Sequence, residues 1–209
     1  MYAKNLDAFK KPLTPTSQYL AGLVLADGNV WVKGNNKPCG IRLGMNDREA
    51  LVCFRDHLSP ESPIRKRSSK RDRTFRVDVC SAEMCRDMIA LGIGPNKIVR
   101  GCDFDPSLQG SRHFWAGVVD GDGHIMSGQY IGLSLANSDR SVIERFLSLV
   151  EPYGYTAKKV KNKNCYTGSV YGDGAFYLLS LLYTKTDGVF RLPRKKKTAL
   201  EFIQRRVEK

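Results

Sequence analysis

Two short stretches of this chain are near-copies of each other, and they constrain its fold more than any other feature. Residues 20–28 read LAGLVLADG and residues 115–123 read WAGVVDGDG, so each is an apolar helical run that ends in Asp-Gly. Small residues recur four positions apart in both stretches, Gly22 with Ala26 and Gly117 with Gly121. This spacing leaves a groove without side chains along one helix face. We therefore predict that the two helices pack backbone to backbone.

Such packing would place Asp27 and Asp122 side by side at the matching ends of the two helices. A carboxylate at a helix C-terminus faces the negative end of the helix dipole, and a second carboxylate beside it adds like-charge repulsion. A divalent cation removes this conflict, and Mg²⁺ binds through one or two carboxylates, waters and phosphate oxygens. The pair thus indicates metal-assisted phosphodiester hydrolysis. The alternative is that each Asp-Gly is only a helix stop and a turn.

The flanking segments repeat together with the motifs. The apolar periodicity predicts the order helix, two strands, helix, two strands, helix, and this order occurs twice. The motif aspartates lie 122 − 27 = 95 residues apart, whereas Phe54 and Phe146 lie 146 − 54 = 92 residues apart. We predict an α+β fold of two pseudo-symmetric αββαββα halves. The predicted division is residues 1–97, a linker over residues 98–111, and residues 112–209.

The positive charge of the chain indicates a polyanionic partner. The formal net charge is +13, from 34 Lys and Arg against 21 Asp and Glu. A two-stranded ribbon fits the major groove of double-stranded DNA, where alternating side chains reach base edges and Lys and Arg meet phosphates. The first-half candidates for DNA binding are Trp31, Lys33, Asn35, Asn36, Lys37, Arg42, Arg65, Lys66, Arg67, Lys70, Arg71, Arg73 and Arg76. The second-half candidates are His124, Gln129, Lys158, Lys159, Lys161, Lys163 and Tyr166.

Each of these residues taken singly is better explained as a solvated surface residue or a phosphate contact than as a residue that reads a base, so the prediction rests on the cluster. Basic residues also follow the last helix of each half: Lys97 in the first, and the run RLPRKKK over residues 191–197 in the second. A lysine near the metal site could orient a nucleophilic water or stabilise charge on the transferring phosphate. The alternative is a solubilising charge run at a helix start.

Membrane and secreted proteins are disfavoured by the composition. Residues 1–15 contain no apolar core of signal-peptide length, and the longest apolar run, residues 176–183, is too short to span a bilayer. The six cysteines form no CxxC pair, which favours reduced thiols. We expect an intracellular protein, either cytoplasmic or organellar, with no membrane partner.

With these motifs the chain resembles the LAGLIDADG homing endonucleases of the single-chain, two-motif type, over residues 17–203. The resemblance implies a monomer whose motif helices form the interface between two sheets that straddle DNA like a saddle. It implies cleavage of both strands of a long, nearly palindromic duplex, leaving short 3′ overhangs. The implied cofactor is Mg²⁺, as two or three divalent ions, with Mn²⁺ or Ca²⁺ able to replace it in binding.

The resemblance also implies roles for particular residues. The implied metal ligands are Asp27 and Asp122, together with Ala26 and Gly121 beside them. The implied basic catalytic residues are Lys97 and Lys195, with Arg191, Lys196 and Lys197 as open alternatives.

Two positions depart from the family pattern. Leu25 stands where the second motif has Asp120, which we expect to affect hydrogen bonding at the helix end more than catalysis. Asp47 and Asp139 open the helices where some relatives carry a glutamine that positions solvent. The alternative functions on the same fold are an intron RNA-splicing maturase, with intron RNA as partner, and a DNA-binding regulator that does not cleave. Because both motif aspartates are present, the leading hypothesis is an intron-encoded, site-specific endonuclease.

Overall fold

The computed structural model describes residues 2–66, 74–95, 103–127, 131–155, 157–162 and 165–208. Its first part contains three helices and four strands in the predicted order. These elements are α1 (Pro15–Asp27), β1 (Gly28–Lys33), β2 (Lys37–Met45), α2 (Arg48–Leu58), β3 (Arg65–Lys66), β4 (Phe75–Val79) and α3 (Ala82–Ala90).

The second part repeats this order and adds a helix at each end. Its elements are α4 (Pro106–Gln109), α5 (Arg112–Asp122), β5 (Gly123–Ser127), β6 (Ile131–Asn137), α6 (Arg140–Leu147), β7 (Ala157–Asn162), β8 (Cys165–Tyr171), α7 (Gly172–Tyr183) and α8 (Pro193–Val207). Among the helices of the described residues, none has the length and apolar character needed to cross a membrane.

Two four-stranded antiparallel sheets have the same topology, with strand orders β1-β2-β4-β3 and β5-β6-β8-β7. Alternate residues of the central strands are buried, such as Ile41 and Leu43 on β2 and Leu133 and Leu135 on β6. This period of two places one face of each sheet against the helices. The opposite face is called the open face below. The predicted α+β fold with two pseudo-symmetric halves is confirmed.

Local sequence explains where the motif helices begin. The Thr14 hydroxyl accepts a hydrogen bond from Ser17 N at 3.1 Å, and Pro15 occupies the first turn of α1. Ser111 caps α5 in the same way, through Phe114 N at 3.1 Å. Both helices therefore start at a defined residue, which fixes the register of their small residues along the interface.

The part of the predicted linker that is described, residues 103–111, is structured. Asp105 caps α4 through Ser107 N at 3.0 Å, and Phe104 is buried against the rings of Phe114 and Trp115. The division at residues 97 and 111 stays a prediction, because residues 96–102 lie outside the described part. The five described cysteines are free thiols.

Candidate active site and nucleic-acid interface

The motif helices α1 and α5 cross in direct backbone contact. A Cβ added to Gly22 would lie 2.1 Å from the carbonyl oxygen of Phe114, and one added to Gly117 would lie 2.1 Å from that of Tyr19. No side chain larger than hydrogen fits at either position, because real Cβ atoms stay well beyond 3 Å from a backbone oxygen. The small residues therefore allow the backbones of the two motif helices to approach each other closely, as the sequence predicted.

The same contact continues to the C-terminal ends of the helices. A Cβ on Gly121 would lie 2.4 Å from the Ala26 Cβ and 3.1 Å from Asp27 Oδ2. The Asp27 carboxylate therefore lies beside the residue that precedes Asp122. Asp27 is exposed and Asp122 half-buried, and the Asn137 amide lies at hydrogen-bond range from Asp122, with Nδ2 to Oδ2 at 3.5 Å. The packing brings the four residues predicted as metal ligands to one place.

The donor set at this place suits a hard divalent ion. Within the described ranges no group of three or more His, Cys, Asp and Glu side chains could hold a metal. Two carboxylates from Asp27 and Asp122, with backbone carbonyls nearby, match the habit of Mg²⁺, which completes its shell with waters and phosphate oxygens. The described side chains at the helix ends do not supply the four ligands of a closed structural zinc site.

Lys195, one of the basic catalytic residues that the resemblance implies, lies at the end of the second motif helix. Its buried ammonium donates to the carbonyl oxygens of Val119 at 2.7 Å, Asp120 at 2.8 Å and Gly123 at 2.6 Å. The Gly121 oxygen is 3.3 Å away. Burial lowers the pKa of Lys195 to about 8. The ammonium adds a donor to the carbonyls at the end of the helix, of which Val119 O also accepts from Gly123 N, and its charge opposes the helix dipole, so it holds this helix end in position.

Asp120, one position of asymmetry between the motifs, is the centre of a buried hydrogen-bond network. Its carboxylate accepts from the Tyr183 hydroxyl at 2.7 Å, the Tyr19 hydroxyl at 2.8 Å and Leu192 N at 2.8 Å. Burial raises the pKa of the Asp120 carboxyl, and it raises those of both tyrosines well above their usual range. The expectation that this position concerns hydrogen bonding at the helix end is confirmed.

Arg191, an open alternative for the basic catalytic residue, is committed to the protein interior. It donates to the Leu182 oxygen and to the Phe190 oxygen, each at 2.9 Å, and its Nη2 lies 2.9 Å from His113 Nδ1. Its guanidinium stacks over the Tyr19 ring at 5.2 Å. Arg191 therefore supports the network around Asp120. Lys196 is half-buried and Lys197 is exposed on α8.

Arg194 is the functional candidate that the sequence interpretation missed. Its guanidinium forms a bidentate ion pair with Asp47 of the first half, Nε to Oδ1 at 2.8 Å and Nη2 to Oδ2 at 2.9 Å. These residues line one pocket together with Asp27, Thr74 and Gly121. Asp47 precedes the first residue of α2 as predicted, but its carboxylate makes no capping hydrogen bond and pairs with Arg194 instead, whereas the Asp139 carboxylate caps α6 through Ser141 N at 2.8 Å.

The pair of Arg194 and Asp47 could not be predicted from the sequence, because the two residues are 194 − 47 = 147 positions apart.

The predicted catalytic residue Lys97 lies outside the described residues. So do six of the predicted DNA contacts: Arg67, Lys70, Arg71, Arg73, Gln129 and Lys163.

The open face of the first sheet gathers most of the other predicted contacts. Strand pairing aligns Asn29, Arg42 and Asp78 in one row across β1, β2 and β4. Arg42 forms an ion pair with Asp78 and stacks over the Trp31 ring at 5.4 Å, while Arg76 Nε lies 3.4 Å from Asp78 Oδ2. Members of this face are Trp31, Lys33, Arg42, Arg65 and Arg76, and Asn35, Asn36 and Lys37 form the exposed turn at its end.

Four residues predicted to contact DNA, Lys66, Lys159, Lys161 and Tyr166, lie on the helix-facing side of a sheet and not on its open face. Lys66 pairs with Phe75, whose ring faces the helices. Lys159 forms an ion pair with Glu144 of α6. The Lys161 ammonium lies over the ring of Tyr166, and that ring packs against the core. The side chains of neighbouring strand residues point to opposite faces of a sheet. Arg65 therefore cannot lie on the same face as Lys66, and Lys158 cannot lie on the same face as Lys159. Of the second-half candidates on described residues, His124 and Lys158 remain on the open face.

The N-terminal segment adds two residues that the sequence interpretation left out. Tyr2 and Lys4 line one cavity with Trp31, Arg42 and Arg65 of the open face. Hydrogen bonds to α2 and the residue after it hold the segment there, including Asn5 N to Leu58 O at 3.0 Å. The N-terminal segment is short and polar, so it has no apolar periodicity that would predict its position beside the open face.

Solved structures share this architecture over nearly the whole chain. A mesophilic variant of the homing endonuclease I-DmoI has a TM-score of 0.58 at 14% identity, covering 90% of this chain and 97% of that one. The LAGLIDADG meganuclease I-AabMI, bound to uncleaved DNA, has a TM-score of 0.57 at 13% identity, covering 92% and 90%. The meganuclease I-SmaMI, bound to uncleaveable DNA, has a TM-score of 0.57 at 14% identity, covering 93% and 91%.

Sequence comparison identifies the second half alone. The family model of the LAGLIDADG-like domain matches residues 110–204. No curated protein sequence matches the chain. Residues 110–204 therefore resemble the LAGLIDADG-like domain, and the chain as a whole has the two-motif fold of the LAGLIDADG homing endonucleases.

Proposed function

We propose that this protein is a site-specific endonuclease that hydrolyses both strands of double-stranded DNA with a divalent metal, leaving short 3′ overhangs. The observation that carries the proposal is the meeting of Asp27 and Gly121 at the helix ends, between two sheets of which one presents clustered arginines. A paired-carboxylate site flanked by phosphate-binding cations is suited to hydrolysis of a phosphodiester. Both motifs come from one chain, so we propose a monomer, with residues 1–97 and 112–209 as its halves.

The structural relatives support the choice of ligand. I-AabMI and I-SmaMI are DNA complexes, and I-DmoI is described in complex with DNA and Mn and with DNA and Ca. In this chain the oxygens of Asp27 and Asp122, with the carbonyls of Ala26 and Gly121, would hold the ions. Mg²⁺ bound there would polarise the phosphodiester and lower the pKa of an attacking water.

The remaining residues act around those carboxylates. Lys195 is a positioning residue, because its ammonium is used by the carbonyls that end α5. Arg194 has a guanidinium at the rim of the Asp27 pocket, and Nη1 is not used in its pair with Asp47. We assign it the stabilisation of negative charge on the phosphate that is cut at Asp27.

Substitution of the two carboxylates tests the proposal. Asp27→Asn and Asp122→Asn should each abolish double-strand cleavage in Mg²⁺ while leaving the affinity for the target within about threefold, because each variant removes one charge from the metal site and none from the open faces. The target is first recovered by selecting bound duplexes from a randomised library, and sequencing of the cut ends reads the overhang.

A matched control is Asp56→Asn, which removes a carboxylate of 52% side-chain exposure from the surface of α2. This variant should cut like the unmodified protein. Binding of the selected duplex by the unmodified protein without cleavage in Mg²⁺ or Mn²⁺ would overturn the endonuclease proposal and favour a regulator that does not cleave.

A further inference from the structure

The two open faces differ in chemistry at positions that the strand registers make equivalent. In the first sheet Arg42 lies opposite Asn29 and Asp78, and in the second sheet Ser134 lies opposite His124 and Ser169. The two rows are equivalent, because Asn29 and His124 each directly follow the glycine that ends a motif. An arginine in one half thus corresponds to a serine in the other.

The neighbouring row, closer to the motif aspartates, shows the same change. Arg76 of β4 lies opposite Gly44 and Arg65. Its counterpart Thr167 of β8 lies opposite Ala136 and Val160. Among the described strand residues, the three arginines of the first open face are therefore replaced by hydroxyl and methyl groups in the second.

The second open face also exposes apolar side chains that a solvent-facing strand does not require. Val160 is 41% exposed and Tyr171 46% exposed. The Tyr171 ring and the Met126 sulfur both lie over Gly132, within about 3 Å of where its Cβ would be. Exposed apolar groups gathered on one face mark a contact surface. Lys158 is the single lysine or arginine on the described strands of this face.

Base edges in the major groove distinguish these two kinds of side chain. Arginine pairs in bidentate fashion with the O6 and N7 of guanine, whereas methyl groups contact the C5-methyl of thymine. Val160, Thr167 and Ala136 form a row of methyl groups beside the catalytic end of the sheet. A guanine there would have at most the single hydroxyl donor of Thr167 for its two acceptors, in place of the bidentate pair that an arginine supplies, which disfavours guanine.

We propose that the two half-sites of the target differ in composition, with guanines under Arg42, Arg65 and Arg76 and a thymine-rich run under Val160 and Thr167. The inference rests on the proposed function, since it concerns the DNA that the open faces bind. It names Val160 and Thr167 as residues that set specificity through their methyl groups.

Modified bases separate the two contacts. Deoxyuridine in place of thymidine removes one methyl group and keeps every hydrogen bond, and 7-deazaguanine removes the N7 acceptor. In the selected duplex, deoxyuridine in the second half-site should weaken binding by about fourfold for each contacted methyl. The same exchange in the first half-site should change affinity less than twofold, whereas 7-deazaguanine there should weaken binding by about tenfold.

Protein variants identify the groups responsible. Val160→Ala should reduce the deoxyuridine penalty to less than twofold at the thymine that Val160 contacts, because the valine methyls are then absent, and should keep the penalty at the thymine under Thr167. Val207→Ala, which shortens a valine of 73% exposure at the end of α8, is the matched control and should keep the full penalty.

The outcomes distinguish this inference from the proposed function. If no duplex is selected from the library, the proposal of site-specific binding fails. If a duplex is selected and cut, yet carries guanines in both half-sites or shows no deoxyuridine penalty in the second, the proposed function stands and this inference is overturned. A penalty that Val160→Ala leaves unchanged would overturn the assignment to Val160.

Discussion

Gly117→Ala tests the close crossing of the motif helices, on which the whole site depends. The new methyl carbon would lie 2.1 Å from the Tyr19 oxygen and 3.0 Å from Leu23 N. Non-bonded contacts to carbon are favourable near 3.5 Å, so the helices must separate by about 1 Å or more. Both clashing atoms belong to the backbone of α1 and cannot rotate away.

Two opposing effects decide the magnitude. Alanine favours a helix over glycine by about 1 kcal/mol. Overpacking at a contact that cannot relax costs about 3 kcal/mol. We therefore expect a net loss of about 2 kcal/mol in the free energy of unfolding, which lowers the melting temperature of a chain of this size by about 4–8 °C.

Denaturant titration and calorimetry measure this loss, and cleavage of the selected duplex at a temperature where the variant is folded measures the effect on the site. Gly110→Ala is the matched control, since nothing lies within 4 Å of its added Cβ and its φ of −86° suits alanine. Its free energy of unfolding should change by less than about 0.5 kcal/mol. A Gly117→Ala variant that is as stable as the control, or more stable, would refute the close contact.

Three further predictions concern the buried network and the pocket. Asp120→Ala leaves the donors of Tyr19, Tyr183 and Leu192 without their acceptor, and it should lower the free energy of unfolding by about 3 kcal/mol in chemical denaturation. Asp120→Asn keeps an oxygen and should lower it by about 1 kcal/mol. Equal losses for the two variants would contradict the network. Burial, reinforced by Arg191, lowers the pKa of His113 below 6.5. The unfolded chain therefore binds the proton more readily as the pH falls below 6.5, and the unmodified protein should lose stability relative to His113→Asn between about pH 7 and pH 5. Arg194→Ala should slow nicking of one strand by about tenfold or more and leave the other strand within threefold, measured with strand-specific labels; equal slowing of both strands would exclude a role confined to one pocket.

The duplicated motif made most of the fold predictable, because its information is local. Gly22 and Gly117 each sit four positions from another small residue, and this spacing indicates a helix face that accepts a close neighbour. The repeat then supplied the topology, since a register preserved over two halves fixes the order of elements. The structure confirms both the helix contact and the matching sheets.

The open faces were less predictable, and Lys159 shows why. A run such as Lys158-Lys159 is basic on both faces of a strand, and the period of two says only that the neighbours differ. Which of them faces the helices depends on pairing with β8, where Lys159 lies opposite Gly168, under Ile143 and Leu147 of α6. Arg194 and Asp47 were hidden for a related reason, because no local pattern joins two residues that meet only after the halves have packed.

The C-terminal segment 191–195 links the two halves of the site and makes them unequal. Leu192 N and Lys195 hold the end of α5 through Asp120 and the last carbonyls, while Arg194, between them, reaches across to Asp47 beside Asp27. One segment therefore sets the position of one carboxylate and the charge around the other. The cations near the two carboxylates differ: the exposed Arg194 guanidinium shares a pocket with Asp27, whereas the buried Lys195 ammonium donates to the carbonyl oxygens of Gly121 and Gly123 on either side of Asp122. Because charge stabilisation enters the barrier for each strand separately, we expect the two strands to be cut at different rates, with a nicked duplex as a transient intermediate.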